Sequence, residues 1–199
     1  MNQLNTEALL NKRQPLVEIT TQTHGVRMDI AYATSNNFTG NPVYSRPACF
    51  LHPEAEAALR KAIHYAHELG YGILMFDAYR PTEAQWKLWN HTPDPHFLAH
   101  PERGSPHSRG VAVDLTLTHP DGSEVDMGTP FDAFTPLSHH GAADISADAK
   151  RNRLILMGIM TSAGFDFYRN EWWHYQLFHG RTYPALSDAE AGTHMMEAV

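Results

Sequence analysis

The sequence has a single cysteine, Cys49, among its 199 residues. It can therefore form no internal disulfide and no thiolate zinc cluster, and any bound metal must be held by imidazole and carboxylate. Long hydrophobic runs are also lacking. Nothing approaches the roughly 20 apolar residues of a membrane span, and the first twenty residues, MNQLNTEALLNKRQPLVEIT, carry no apolar core of the secretory type. A soluble cytoplasmic chain without a membrane partner is the expectation. Positive charge is in deficit: 15 Lys and Arg stand against 22 Asp and Glu, a formal net charge of −7, which argues against a nucleic-acid partner. There is no internal repeat and no low-complexity tract. Hydrophobic residues at 42% and charged residues at 19% make an ordinary globular composition, and the length suits one domain with a real core. The expected ligand is small. Nothing indicates an oligomeric state.

Histidine is abundant, at 14 residues, but abundance alone identifies nothing. His91, His96 and His100 lie among the prolines of HTPDPHFLAHPERGSP and read as surface or loop positions.

Local patterns predict a short strand over residues 16–20, then a long loop through MDIAYATSNNFTGNPVY with its Asn, Gly and Pro turn chemistry. A helix follows over 53–70, with Leu59, Ala62, Ile63, Ala66 and Leu69 on one face. Residues 72–79 read as a buried strand, and Thr82 with Gln85 as a capping box opening a helix through Asn90. A strand over 111–117 comes next, with DGS as a turn after it. Residues 148–163 predict a helix closed by Gly164. EWWHYQLF reads as a strand beginning at or just after Glu171. The tail, 187–199, is polar and small and is expected to fray. This order implies an α+β fold with a mostly antiparallel central sheet flanked by helices; it does not set the strand order.

One residue is out of place. Residues 111–117 alternate as in a half-buried strand, yet Asp114 sits in the middle, where a carboxylate is costly without compensation. An ion pair with Arg109 or a hydrogen-bond network would satisfy it. His107, seven residues earlier, offers another account, because an imidazole and a carboxylate are both ligands that suit zinc. EWWH supplies a third candidate, His174, beside Glu171. On a regular strand Glu171 and His174 would face opposite ways, so both can line one site only if a turn ends at Glu171. Taken alone, EWWH reads more readily as an aromatic core strand with a surface glutamate and a packed histidine.

Together SPHSRGVAVDLTL, EWWHYQL, DAYRP, MGTPFD and the early HGVRMDIAYATSNNFTG resemble, in collinear order over roughly residues 24–180, the zinc D-alanyl-D-alanine dipeptidases of the VanX type. Pro106 between Ser105 and His107 departs from that pattern, as does a short connection from Arg80 to Ser105; neither removes a motif residue. The resemblance implies one zinc per chain held by His107, Asp114 and His174, with Glu171 as catalytic base and Arg80 stabilising the transition state. It implies that Asp132 receives the substrate's free amino group, with Ser105 and Tyr32 nearby, and that the substrate is a small D,D-dipeptide. Asp77 is expected to support Arg80, Arg109 to orient a loop or neutralise Asp114, Ser138, His139 and His140 to be structural or to support the site from behind, and Cys49 to be a buried small residue. A zinc D,D-carboxypeptidase acting on longer cell-wall peptides is the alternative, against which the missing export signal argues. A non-catalytic zinc-binding module is a third reading, which would need neither Glu171 nor Arg80.

Overall fold

The computed structural model describes residues 14–196. In chain order its elements are β1 (Val17–Glu18), α1 (Thr21–His24), β2 (Arg27–Met28), β3 (Phe50–Leu51), α2 (Pro53–Glu68), β4 (Gly72–Asp77), α3 (Thr82–His91), β5 (Ala112–Thr118), α4 (Ala147–Ala163), β6 (Phe165–Phe167), β7 (His174–Leu177) and α5 (Asp188–Ala191). Strands β1 and β3 form a small antiparallel pair, and the main sheet runs β2-β4-β5-β7-β6. Three of its pairings are antiparallel and one, β2 with β4, is parallel. The fold is α+β, with a sheet mixed at one edge.

Helix α2 starts at Pro53, preset for a first helical position, with Glu54 and Glu56 in the first turn, where they suit the helix dipole. Ala55, Ala58, Leu59, Ala62 and Ala66 form its buried stripe. Leu69, expected on that face, lies beyond the last turn and is 60% exposed. Helix α4 begins with the Ser146 side chain accepting from the Ala149 N–H and ends with Gly164 at φ 112, whose N–H closes on Met160 and Thr161 carbonyls. The two long helices pack together, α2 also against β4 and α4 against β6.

β5 is the middle strand, and all seven of its residues are buried, so the half-buried expectation is corrected. Val113, Leu115 and Leu117 join the apolar core, while Asp114 and Thr116 point to the opposite face, which is covered as well. Two further expectations fail. Thr82 is the first helical residue of α3, preceded by Pro81 without a side-chain cap; Gln85 is drawn instead to Arg80 and the Ala99 carbonyl. From Ser187 to Met196 the tail does not fray. Ser187 and Glu190 form a capping box there, Asp188 accepts from Thr193 and from the Met195 and Met196 N–H groups, and Met195 is fully buried. Residues 197–199 lie outside the described residues. Among the described residues no helix is long and apolar enough to cross a membrane.

Candidate functional site

The carboxylate of Asp114 is explained by its neighbours across the sheet. It pairs in register with Asp77 of β4 on one side and with His174, the first residue of β7, on the other. An irregularity between Met75 and Asp77 shifts the β4 register there, as a bulge does when it re-aims a strand end. His107 arrives from a single helical turn, His107–Arg109, closed by Gly110 at φ 66. A side chain at Gly110 would meet Leu16 at 2.8 Å and the His52 amide nitrogen at 3.2 Å, so the chain can reverse into β5 only with glycine there.

The ring nitrogens define the chemistry. His107 Nδ1 donates to the Ala78 carbonyl at 2.7 Å, and His174 Nε2 faces Gln176 Oε1 at 3.2 Å. With those outer nitrogens protonated, His107 Nε2 and His174 Nδ1 turn lone pairs inward, 3.0 Å apart. Asp114 Oδ1 lies 3.3 Å from the first and 3.1 Å from the second. Three electron-pair donors converge, all within 4.8 Å of one another and all buried. Such a set demands a cation, and two imidazoles oriented by outer acceptors plus one carboxylate could hold a metal ion. Burial alone would raise the Asp114 carboxyl; where the two inward ring nitrogens carry protons in place of a metal, the charge and hydrogen bonds of His107 and His174 outweigh it and hold the carboxyl well below the usual range.

Around this trio stand three further groups. Arg80, 4% exposed, sets Nε and Nη2 each 2.9 Å from Asp77 Oδ2 and gives Nη1 to Gln85 Oε1 at 3.0 Å, while Nη2 also reaches Asp114 Oδ2 at 3.5 Å. Its guanidinium lies 5.0 Å from the Tyr32 ring centre. Asp77 is therefore the support expected for Arg80, itself fixed by the Tyr44 hydroxyl. Glu171 sits in a turn, its N–H bonded to the Tyr168 carbonyl at 3.2 Å. The strand starts only at His174, so Glu171 escapes the alternation that would have turned it away, and its Oε2 comes within 3.9 Å of His174 Nδ1. Burial, then the charges of Asp114 and Asp132, raise its carboxyl well above the usual value. Asp132 has a left-handed backbone, φ 58, and its Oδ2 is enclosed without a hydrogen-bond partner. Burial and the charge of Asp114 push its pKa up to about 8, against a hydrogen bond from Tyr32.

All eight residues singled out in the sequence, Tyr32, Arg80, Ser105, His107, Asp114, Asp132, Glu171 and His174, line one cavity of roughly 740 Å³. Ser105 holds His107 in place: its Oγ accepts from the His107 N–H at 3.2 Å. Arg109 is not the partner of Asp114. It donates to the Tyr183 and Arg103 carbonyls and so ties loops together. Ser138 bonds the Ala133 carbonyl, His139 offers its carbonyl to Arg153, and Cys49 is buried, its thiol pKa raised by burial.

Arg153 was not read from the sequence. It donates to the carbonyls of Met127, Leu137 and His139 at 2.7, 2.9 and 2.9 Å, bracing the loop that carries Asp132. The Trp172 indole N–H reaches Thr129 of the same loop, and the Trp172 backbone N–H reaches the Ser138 carbonyl, which fastens the loop to the residue beside Glu171. The available signal was position: Arg153 falls on the same helical stripe as Ala149, Leu156 and Met160, where a solvated arginine has no place.

Comparison with known proteins gives a consistent result. The D-ala-D-ala dipeptidase model of peptidase family M15 matches residues 12–188. A D-alanyl-D-alanine dipeptidase of Escherichia coli K12 is 40% identical over 173 residues, 87% of this chain and 90% of that protein. One from Enterococcus faecalis is 41% identical over 175 residues, 77% of this chain and 87% of that protein. Among solved structures the Serratia marcescens L-Ala D-Glu endopeptidase ChiX is matched at 13% identity with a TM-score of 0.42, over 80% of this chain and 96% of that one, a likeness too distant to inform the site.

Proposed function

The chain belongs to the D-Ala-D-Ala dipeptidase family of the M15 peptidases, and from that premise we propose that it hydrolyses the D-alanyl-D-alanine dipeptide to D-alanine, using one zinc ion per chain and Glu171 as general base. The observation that carries this reading is the convergence of His107 Nε2, His174 Nδ1 and Asp114 Oδ1 beside a buried glutamate with a raised proton affinity. Held by those three residues, zinc supplies Lewis acidity at neutral pH, which makes water a nucleophile and an amide carbonyl an electrophile.

The chain's own groups do the rest. Glu171, buried beside the trio, takes the proton of the attacking water and returns it to the leaving amine. Arg80, aimed by Asp77 and Gln85, faces the oxyanion charge that develops after attack. The unpaired Asp132 Oδ2, beside Tyr32, receives the substrate's ammonium. An acylated amine would leave that carboxylate unpaired, so only a peptide with a free amino end is accepted. The assay is alanine release from D-Ala-D-Ala, L-Ala-L-Ala, N-acetyl-D-Ala-D-Ala and a wall pentapeptide, with and without chelator. Chelator-sensitive cleavage of the first alone is expected; preferential trimming of the pentapeptide would favour the carboxypeptidase alternative.

Arg80→Ala is expected to lower kcat by about 10²–10³ with zinc content unchanged. It also strands Asp77 in the interior, a loss of roughly 3–5 kcal/mol of stability, which adding Asp77→Asn should largely restore without recovering kcat. A variant altered only in KM would make Arg80 a binding residue.

Asp132→Asn should narrow the preference for the free over the N-acetylated dipeptide. In the metal-free protein it should also raise the melting temperature. A carboxyl whose folded pKa is raised costs nothing below its unfolded value, about 4, costs more as pH climbs to about 8, and costs a constant amount above that. The gain should follow that course. A gain equal at pH 4 and pH 8 would contradict the enclosed, unpaired carboxylate.

A further inference from the structure

The cavity has a second charged end that this chemistry does not use. Arg103, Arg109 and Arg181 all line it, an accumulation of positive charge in a chain of net charge −7. Among the described residues none of the three is paired with a carboxylate. Arg109 gives its two terminal nitrogens to the Tyr183 and Arg103 carbonyls, and its Nε–H is enclosed without an acceptor. Arg103 and Arg181 are exposed.

This end is separate from the acidic one. Gly180, next to Arg181, approaches Pro106, next to His107, so the basic rim lies on the His107 side of the trio. Asp132 lies with Tyr32, Phe131 and Arg80.

We propose that Arg103, Arg109 and Arg181 form the subsite for the substrate's free carboxylate, so that the cavity reads both ends of a dipeptide. Guanidinium groups suit this role because their planar forks match a carboxylate bidentately and stay charged at any working pH. Arg109, fixed by the Tyr183 and Arg103 carbonyls, contributes its charge and anchors the loop that carries Arg103, and the exposed pair closes on the anion from the rim. A peptide extended or amidated at that end offers nothing to these cations.

The proposal rests on the dipeptidase reading, and the test separates the two. D-Ala-D-Ala and its C-terminal amide are compared as substrates of the zinc-loaded wild type and of the Arg103→Gln/Arg181→Gln double variant, whose exposed positions leave the fold intact. Wild type should favour the free acid by about tenfold or more in kcat/KM. The double variant should bring that ratio close to one through a higher KM for the acid, with the amide nearly unaffected. An unchanged ratio in the double variant, while D-Ala-D-Ala is still cleaved, overturns the subsite. So does a loss equal for both substrates that disappears at high salt, which would be long-range steering alone. A wild type that cleaves neither substrate overturns the dipeptidase reading itself.

Discussion

Glu171→Gln is expected to lower kcat by about 10⁴ or more while zinc stays at one per chain. General-base catalysis is worth about 10²–10⁴, and here the same carboxylate also returns the proton to the leaving amine, which places the loss at or beyond the upper end. Zinc should remain because Glu171 is not one of the converging donors: its Oε2 is 3.9 Å from His174 Nδ1, whereas Asp114 Oδ1 is at 3.1 Å. Stability should hold or improve. Burial and two neighbouring carboxylates raise the Glu171 pKa, so above its unfolded value near 4 the ionisable group works against the folded state, and a neutral amide relieves that cost. Zinc content, melting temperature and kcat on this one variant decide the matter. A metal-free protein would make Glu171 a ligand, and a fully active one would leave the mechanism without its base.

His107→Ala and His174→Ala should each remove both zinc and activity. Either change takes away one of three donors and leaves Asp114 buried without one of the two partners that now hold its carboxyl low. Gln176→Leu makes the graded counterpart. It removes only the acceptor facing His174 Nε2, and loss of such an outer partner typically weakens metal affinity about 10–100-fold without abolishing it. Elemental analysis should therefore find the histidine variants empty and Gln176→Leu loaded when zinc is in excess. Full zinc in His107→Ala would sink the ligand assignment.

The site was more legible in the sequence than the fold that carries it. Asp114 drew attention because a carboxylate in an apolar strand needs a partner, and His107, His174 and Glu171 stood where chemistry would use them. Their convergence depends on a turn through Glu171 that propensity could require but not demonstrate. The parallel β2–β4 pair could not have been read, since β2 has two residues, Arg27 and Met28, too few for any periodicity. The alternation over 111–117 predicted one wet face; the strand lies at the sheet centre with that face covered by the site, a tertiary fact. Thr82 and Gln85 match the capping pattern, yet Gln85 is worth more to the buried Arg80 guanidinium than to a helix end. Arg153 and Gln176 went unseen for one reason: each acts by orienting a loop or a ring, and such a role has no residue-type signature.

The central claim, a single catalytic zinc held by His107, Asp114 and His174, is tested most directly by titrating zinc into chelator-stripped protein while following D-alanine release from D-Ala-D-Ala. Activity should rise from background in proportion to added zinc and level off at one equivalent per chain. Full activity in the stripped protein, or activity that bears no relation to one equivalent of zinc, would contradict it.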